Sequence, residues 1–508
     1  MALKIAHTVP STTVRRPPKV LLALLAVVGL SAHGTAGRSM GVETPWNLDR
    51  INQTALPLDG NVSMGTLTGA GIDIYIVDTG VRPTHEQLNG RVIPGIDVSA
   101  INEYSEVDPP TSDCDGHGTH VAATAAGTTT GVAVQANIIA VRVLDCNGNA
   151  EVEDVVDGLK WVLGNHVSGR IAIANLSLGV DLGDDGTTII DMVHELVADG
   201  VIVVVAAGNG DETGKPVDAC RIAPGSDPQS LTVGATSKTD GPSFFSNYGP
   251  CVDIWAPGGD RTTPVTSAWM RSDTDYMGDI GTSMAAPHVA GALALLGQQQ
   301  PTLCPSQYVD ALLERATKNA IVGLDGTSPN RLLFVNTAPV TSLYSPGKPS
   351  NVIITPDASS MLVGWEPPCD GGSPITSTKV SVLHAGKVVK SVKVEPGTNA
   401  VRIRGLVPGR QYSVVIKSTN AVGPGSATSR ITAPRIASLK PGRAIRVDNL
   451  VTGVSDDSTK LRSLTPSRCV VKGQERHRLV GVRAGTCRYA ILTNGARAEI
   501  IRSIVVLR

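Results

Sequence analysis

The sequence predicts an α/β domain built on buried parallel strands, followed by two smaller all-β segments. Three observations predict it. Apolar runs such as Ile72-Asp73-Ile74-Tyr75-Ile76-Val77 and Val201 to Val205 lack the alternation of a half-wet sheet and read as strands covered on both faces. Alanine-rich runs, Val121 to Gly127 and Met284 to Leu296, each follow a glycine-containing turn and read as helices packed closely in the interior. From residue 347 the pattern changes to short alternating strands separated by Gly and Pro turns. A length of 508 residues suits about three such domains.

At the N-terminus, Arg15, Arg16 and Lys19 precede the apolar run Val20 to Leu30, and small residues end at Gly34-Thr35-Ala36. That is the three-part form of a secretory signal, residues 1–36, with cleavage expected after Ala36. The run is too short for a mature membrane anchor, and no other stretch approaches one. Nothing besides the twin arginines points to folded export, so ordinary secretion to an extracellular or cell-wall location is the expectation. Eight cysteines in an exported chain suggest disulfides.

Three short segments then carry chemistry: Asp78-Thr79-Gly80, His117-Gly118-Thr119-His120 and Gly281-Thr282-Ser283-Met284-Ala285. A serine hydroxyl is a poor nucleophile at neutral pH, so an imidazole must take its proton as it attacks. That imidazole needs a buried carboxylate to set its tautomer and to stabilise the imidazolium that forms. Asp78 ends a strand, where open α/β sheets place their sites. His117 and Ser283 lie at the starts of helices, whose free N–H groups and positive dipole end favour a developing oxyanion beside Ser283. Directly after the strand Val201 to Val205 stands Ala206-Ala207-Gly208-Asn209-Gly210. The Asn209 amide and the Ser283 N–H are the donors expected to meet that oxyanion.

The order Asp, His, Ser is one of three chain orders known for this set, and no G-x-S-x-G elbow surrounds Ser283. On these motifs the chain resembles the subtilisin-like serine proteases, most closely their proteinase K and aqualysin branch. The resemblance runs from Pro45-Trp46-Asn47-Leu48-Asp49-Arg50-Ile51 to Ser328-Pro329-Asn330-Arg331-Leu332-Leu333. It implies a doubly wound, mostly parallel sheet and an endopeptidase, acting as a monomer through an acyl-enzyme intermediate. Protein and peptide substrates would pair with the main chain of two segments, Ser177-Leu178-Gly179 and Ala206-Ala207-Gly208. With no carboxylate among them, the primary pocket is expected to be roomy and uncharged, with broad, apolar-leaning specificity. Two departures stand out: Ala123 where most relatives carry Gly, and Ala286 where many carry Thr; neither touches a catalytic group.

The resemblance also implies a structural Ca2+ ion held by the carbonyls of Pro228 and Ser230 and the carboxylate of Asp253, oxygen ligands that suit a hard cation. No cofactor for the chemistry is expected. His120 and His288 read as packing or hydrogen-bonding residues, since one imidazole suffices. The remaining seven histidines show no zinc-ligand spacing. Cys114 with Cys146, and Cys220 with Cys251, match the two bridges of the aqualysin group. Cys469 and Cys487 look like a third pair, and Cys304 and Cys369 are left unassigned. Where relatives carry a folding pro-region of several dozen residues, only Gly37 to Thr44 stand here. Unaided folding, a true start further upstream and a separate assisting protein all remain open.

The peptidase domain is expected over 45–338, then a Pro-, Ser- and Thr-rich linker. Trp365-Glu366-Pro367-Pro368, the run Gly405 to Tyr412 and Asn420-Ala421-Val422-Gly423 resemble a fibronectin type III module over 347–433. In that fold Trp365 would fill the core and Tyr412 form a corner hydrogen bond. Residues 435–508 resemble a small immunoglobulin-like β-domain and hold 15 Lys and Arg against 5 Asp and Glu, net +10. Residues 37–346 hold 15 against 36, net −21. The bland reading is two solvated surfaces of opposite sign; the sharper one is a basic tail held on anionic cell-surface polymer. Nucleic acid is disfavoured, since aromatic residues are only 3% of the chain and no recognition motif occurs. A surface-binding protein with an idle protease fold is the rival class, and the intact Asp78, His117, Ser283 and Asn209 set argues against it.

Overall fold

A computed structural model describes residues 44–433, apart from 89, 99–110, 168, 212, 357–358 and 409, together with the backbone of residues 3–4 and of short strands beyond 433. The expected signal segment, 1–36, therefore lies outside the described residues apart from 3–4. The chain divides into two compact units. The first reaches Pro301 and resumes over Tyr308–Val340; the second takes Thr302–Gln307 and the chain from Thr341 onward.

The main sheet of the first unit has nine strands: β1 Asp73–Asp78, β2 Val92–Asp97, β3 Asn137–Arg142, β4 Ala172–Leu176, β5 Ile202–Ala206, β6 Leu231–Thr236, β7 Ile254–Pro257, β8 Thr317–Lys318 and β9 Arg331–Leu332. They lie in the order β8-β9-β7-β6-β5-β4-β1-β3-β2. Only the β8–β9 pairing is antiparallel. This is the doubly wound, mostly parallel sheet expected. Every residue of β1, β4, β5, β6 and β7 is buried, which is why these strands read as continuous apolar runs. The edge strand β2 keeps two exposed positions.

Six helices accompany the sheet: α1 Trp46–Ile51, α2 His117–Ala126, α3 Val152–Asn165, α4 Asp184–Asp199, α5 Thr282–Gln299 and α6 Pro305–Arg315. Val155, Leu159 and Val162 of α3 and Ile189, Val193 and Leu196 of α4 join Val77, Val141, Leu176 and Val203 in one core cluster. Helices α2 and α5 are buried almost throughout. Both begin earlier than their alanine runs suggest, α2 at His117 itself and α5 at Thr282, one residue before Ser283. For α2 the reason is Gly116, whose φ of 118° turns the chain sharply enough for the helix to start at His117. A side chain there would also run into the ring of Trp269. Ala123 and Ala286 are fully buried, so each methyl is absorbed in the packing.

The disulfides Cys114–Cys146 and Cys220–Cys251 pair as the resemblance implies. Loops of 32 and 31 residues closed in this way stabilise by about 3–4 kcal/mol each in the chain-entropy account. Cys304 bonds to Cys369, a pairing the sequence leaves open, and Cys304 accordingly falls in the second unit. The Cys469–Cys487 pair lies outside the residues whose side chains are described.

In the second unit, β10 Ser350–Pro356, β11 Ser360–Glu366 and β14 Ala400–Arg404 form one sheet. The other contains β12 Ser377–His384, β13 Lys387–Val394, β15 Ser413–Thr419, β16 Pro424–Ala427 and β17 Ile431–Thr432. Trp365, Val380, Val414 and Tyr412 are buried in one cluster, so the tryptophan fills the core as expected. The Tyr412 hydroxyl accepts the Val407 N–H at 2.9 Å, the corner hydrogen bond of such sandwiches. Beyond residue 433 the described strands form a four-stranded and a three-stranded sheet. Tyr412→Phe leaves a part-buried N–H unpaired and is expected to cost the second unit about 1–3 kcal/mol. Hydrogen exchange of amides in β12 and β15 measures it; unchanged protection would remove the corner bond from the account.

Candidate active site

The topology brings the site together. Strand β1 pairs with β3 on one side and β4 on the other, and the winding direction reverses between β1 and β4. A crevice at the carboxyl ends of such strands is where this kind of sheet carries its chemistry. Asp78 is the last residue of β1, Ser177 follows β4, and Ala207 follows β5. Helices α2 and α5 deliver His117 and Ser283.

His117 Nδ1 lies 2.7 Å from Asp78 Oδ1, and Asp78 is also held by the Thr79 N–H at 2.8 Å. Asp78, His117 and Ser283 are 0%, 1% and 2% exposed. Burial draws the His117 imidazolium down, but the charge and hydrogen bond of Asp78, with Asp279 and Asp115 adding, outweigh it and bring the group up to about 9. His120 and His288 are equally buried and both fall to about 4, chiefly by desolvation. His120 faces the Val265 carbonyl at 3.0 Å, and His288 the Asn47 amide at 2.8 Å and the Met284 carbonyl at 2.7 Å. Those two are packing residues, as read from the sequence.

A buried carboxylate that sequence reasoning missed supports this corner. Asp113 accepts from the Asp115 N–H, the Gly116 N–H, the Thr119 N–H and hydroxyl, and the Thr79 hydroxyl, at 2.6–3.0 Å. Burial pushes its carboxyl up, against those donors holding it down. The Thr79 hydroxyl accepts the Gly118 N–H at 2.9 Å, so β1 and the first turn of α2 are tied through one side chain. The Cys114–Cys146 bridge begins at the next residue.

Ser283 is fixed by a reciprocal contact. Pro287, inside α5, has no N–H to offer the Ser283 carbonyl four residues earlier. The Ser177 hydroxyl donates to that carbonyl instead, at 3.0 Å, while the Ser283 hydroxyl donates to the Ser177 carbonyl at 3.1 Å. The Asn175 amide donates to the Ser177 hydroxyl at 3.0 Å. As the second residue of α5, Ser283 has an N–H with no intrahelical acceptor.

Asn209 Oδ1 accepts both the N–H and the hydroxyl of Thr282, at 2.8 Å each. That orients the amide, and its Nδ2 end lies beside Gly281. Asn247, also missed, is fully buried and holds the loop that presents Asn209. It donates to the Ala207 carbonyl at 2.9 Å and accepts the N–H of Gly210 at 3.0 Å and of Val217 at 2.9 Å. Nothing in its local sequence marks it; only the fold brings it to the loop. Leu178, Ala206 and Ala207 are buried, whereas Gly179 and Gly208 are partly exposed. The two segments leave adjacent strands, with Leu176 opposite Val205 in register.

Away from this crevice, the Asp253 carboxylate accepts the Thr232 N–H at 2.9 Å, and Thr232 accepts the Asp253 N–H at 2.9 Å. Asp253 is therefore bonded two residues along the chain from Ser230. Desolvation pushes it up to about 6, with the Thr232 N–H and Arg331 opposing. A half-buried carboxylate is an oxygen donor of the kind a hard cation takes. No group of three or more His, Cys, Asp or Glu side chains with metal-binding spacing occurs among the described residues.

The profile of the subtilase family matches residues 69–332, just over half the chain, and that of the fibronectin type III domain matches 347–435. The chain is 45% identical over 301 residues to the extracellular serine proteinase of Thermus sp. strain Rt41A, covering 58% of this chain and 68% of that protein. It is 40% identical over 289 residues to alkaline serine exoprotease A of Vibrio alginolyticus, covering 57% of this chain and 50% of that protein. Among solved structures it is similar to a cold adapted subtilisin-like serine proteinase. That match is 39% identical with a TM-score of 0.52, over 58% of this chain and 99% of the other. Ser177→Ala leaves the Ser283 carbonyl without its donor and is expected to destabilise the first unit by about 1–3 kcal/mol. Urea unfolding measures the loss; a midpoint within error of the wild type would show that another group takes over.

Proposed function

This chain belongs to the subtilase family and is a serine proteinase, and we propose that it cleaves polypeptides internally through Asp78, His117 and Ser283. The observation that carries this reading is the buried 2.7 Å contact between His117 Nδ1 and Asp78, which fixes the imidazole tautomer and leaves Nε2 as the base. In the proposed first step the Ser283 hydroxyl leaves the Ser177 carbonyl, gives its proton to His117 Nε2 and attacks the scissile carbonyl. Negative charge then develops on the former carbonyl oxygen, and the Asn209 amide and Ser283 N–H donate to it. His117 passes the proton to the departing amine, leaving an acyl-enzyme on Ser283. Water repeats the sequence and releases the acid.

Ser177-Leu178-Gly179 and Ala206-Ala207-Gly208 would flank the residue before the cut, and with no charge among them they favour apolar side chains. The Thermus relative is named extracellular, which together with the N-terminal pattern supports action outside the cell. Among the described residues no helix is long and apolar enough to cross a membrane. The net +10 of residues 435–508 supports retention on anionic cell-surface polymer. A calcium ion on Pro228, Ser230 and Asp253 would stabilise the fold without entering the chemistry.

Three outcomes are expected. Ser283→Ala abolishes hydrolysis of casein and of apolar peptide anilides with the circular dichroism spectrum intact. Asn209→Ala lowers kcat about 100- to 1,000-fold at little changed KM, the scale of loss known for such a donor in this family. Near-normal turnover by the serine variant would overturn the assignment. The second concerns pH. A base must be neutral to accept a proton, and His117 is raised above its ordinary 6.5, so activity is lost as pH falls through a midpoint higher than 6.5. A kcat/KM profile with its acid limb centred at or below 6.5 contradicts this. The third is that a chelator lowers the Tm, because an ion bound only by the folded state stabilises it by mass action. Asp253→Asn should make the melting curve insensitive to added calcium. A wild-type curve identical with and without chelator would remove the ion from the account.

A further inference from the structure

The hairpin that covers α2 brings a second carboxylate to the mouth of the site. Its strands, Val265–Ala268 and Tyr276–Asp279, pair antiparallel with Val265 opposite Asp279. The hairpin is anchored on α2: the Val265 carbonyl faces His120 Nε2 at 3.0 Å, Ser267 donates to the His120 carbonyl at 3.0 Å, and Trp269 lies over Gly116. Its far end is tied to the loop after β1, where Arg82 meets Asp273 at 2.7 Å and Glu86 N–H meets the Asp273 carbonyl at 2.9 Å. The strand bearing Asp279 is therefore held in place. Asp279 stands four residues before Ser283, half-exposed, and the one described hydrogen bond of its carboxylate is from the adjacent Ile280 N–H at 2.8 Å. It takes part in no ion pair among the described residues.

Its charge is felt at both His117 and His120, and at each it favours the protonated form. Geometry agrees: Asp279 lies opposite Val265, whose carbonyl faces His120 one turn beyond His117 in α2, so the carboxylate is on the imidazole side of the crevice, whereas the segments proposed for the acyl side leave β4 and β5. The peptide after the cut has to leave along the imidazole, because His117 hands its proton to that amine. Other acidic groups near His117 are already committed: Asp78 to the imidazole itself, and Asp115 to the His117 N–H at 3.1 Å. A half-exposed carboxylate with an uncommitted charge, on the path of the leaving peptide, meets cationic side chains favourably and acidic ones unfavourably.

We propose that Asp279 is a specificity-determining residue on the leaving-group side, selecting substrates with Lys or Arg in the first two positions after the cut. This rests on the reading of Ser283 and His117 as nucleophile and base. It adds a charge preference to a site whose acyl side is uncharged. Lys and Arg suit the position because a flexible apolar stem lets the charge reach a rim carboxylate while staying in water.

The test is competition between internally quenched peptides of identical acyl side, differing only in Lys, Gln or Glu at the first and second positions after the cut. Ratios of kcat/KM are read within each enzyme, so loss of overall activity in a variant does not enter. The wild type is expected to favour Lys over Glu by about five- to tenfold at low salt, since an exposed charge contact is worth a factor of a few and this exchange counts attraction and repulsion together. The ratio should shrink toward one at high salt. Asp279→Asn should bring it within about twofold, and Asp279→Lys should invert it. A wild type indifferent to charge after the cut, or an Asp279→Asn variant with the full preference, overturns the proposal. Failure of the catalytic reading looks different: no peptide would be cut, whatever follows the scissile bond.

Discussion

Pro287 sets the constraint on which this site depends. A proline in the first turns of α5 withholds the N–H that would close the helix onto Ser283, and an unpaired carbonyl in a fully buried helix is costly. The Ser177 hydroxyl supplies the missing donor, and the Ser283 hydroxyl returns a bond to the Ser177 carbonyl. The start of α5 is thereby joined to the end of β4 by two hydrogen bonds that exist only in one relative placement. Thr282 extends the same logic to β5, since both of its donors converge on Asn209. One helix terminus consequently orients the serine, the asparagine and one acyl-side segment together.

The electrostatics follow from what surrounds each imidazole. His117, His120 and His288 are all buried, and burial alone lowers a histidine. Of these three, only His117 has a carboxylate hydrogen-bonded to its ring, and of the three only His117 rises. In the proposed mechanism such a group is a base whose proton must be removed before it can act, so the contact that orients it would favour alkaline operation. Asp113 makes the arrangement rigid. With both oxygens filled by neighbouring donors, it ties the turn into α2 to Thr79 at the end of β1. The preceding strand, the turn and the helix start form one hydrogen-bonded corner, with the Cys114–Cys146 bridge beside it.

Much of this was legible in the chain because the chemistry depends on contiguous residues. Asp78, His117 and Ser283 each sit in a short motif whose neighbours are dictated locally: a glycine to turn the chain, small residues to pack the following helix. Buried parallel strands announce themselves as unbroken apolar runs, which is why β1 and β5 were readable. The edge strand β2, with exposed positions, and the two-residue strands β8 and β9 carry no such mark. Asn247 and Asp113 were not legible either. Their importance lies in hydrogen bonds to segments that meet them only after folding, and an isolated Asn or Asp reads equally well as a surface turn residue.

The sequence by itself determined the family and the order of the sheet-and-helix domain before the β-modules, and it nominated Asp78, His117 and Ser283 as the proposed reacting groups. Those properties reside in local motifs and in hydrophobic period. It also implied the Cys114–Cys146 and Cys220–Cys251 bridges by likeness, but left Cys304 and Cys369 unassigned; the fold joined them by bringing distant chain segments within bonding reach. Tertiary structure alone decided that Asp279 ends a strand opposite Val265, whose carbonyl faces His120 in α2. It also decided that a proline in α5 is answered by Ser177, 106 residues away from Ser283. Burial and hydrogen bonding are properties of three-dimensional neighbours, and separations of that length are closed only when the whole sheet is assembled.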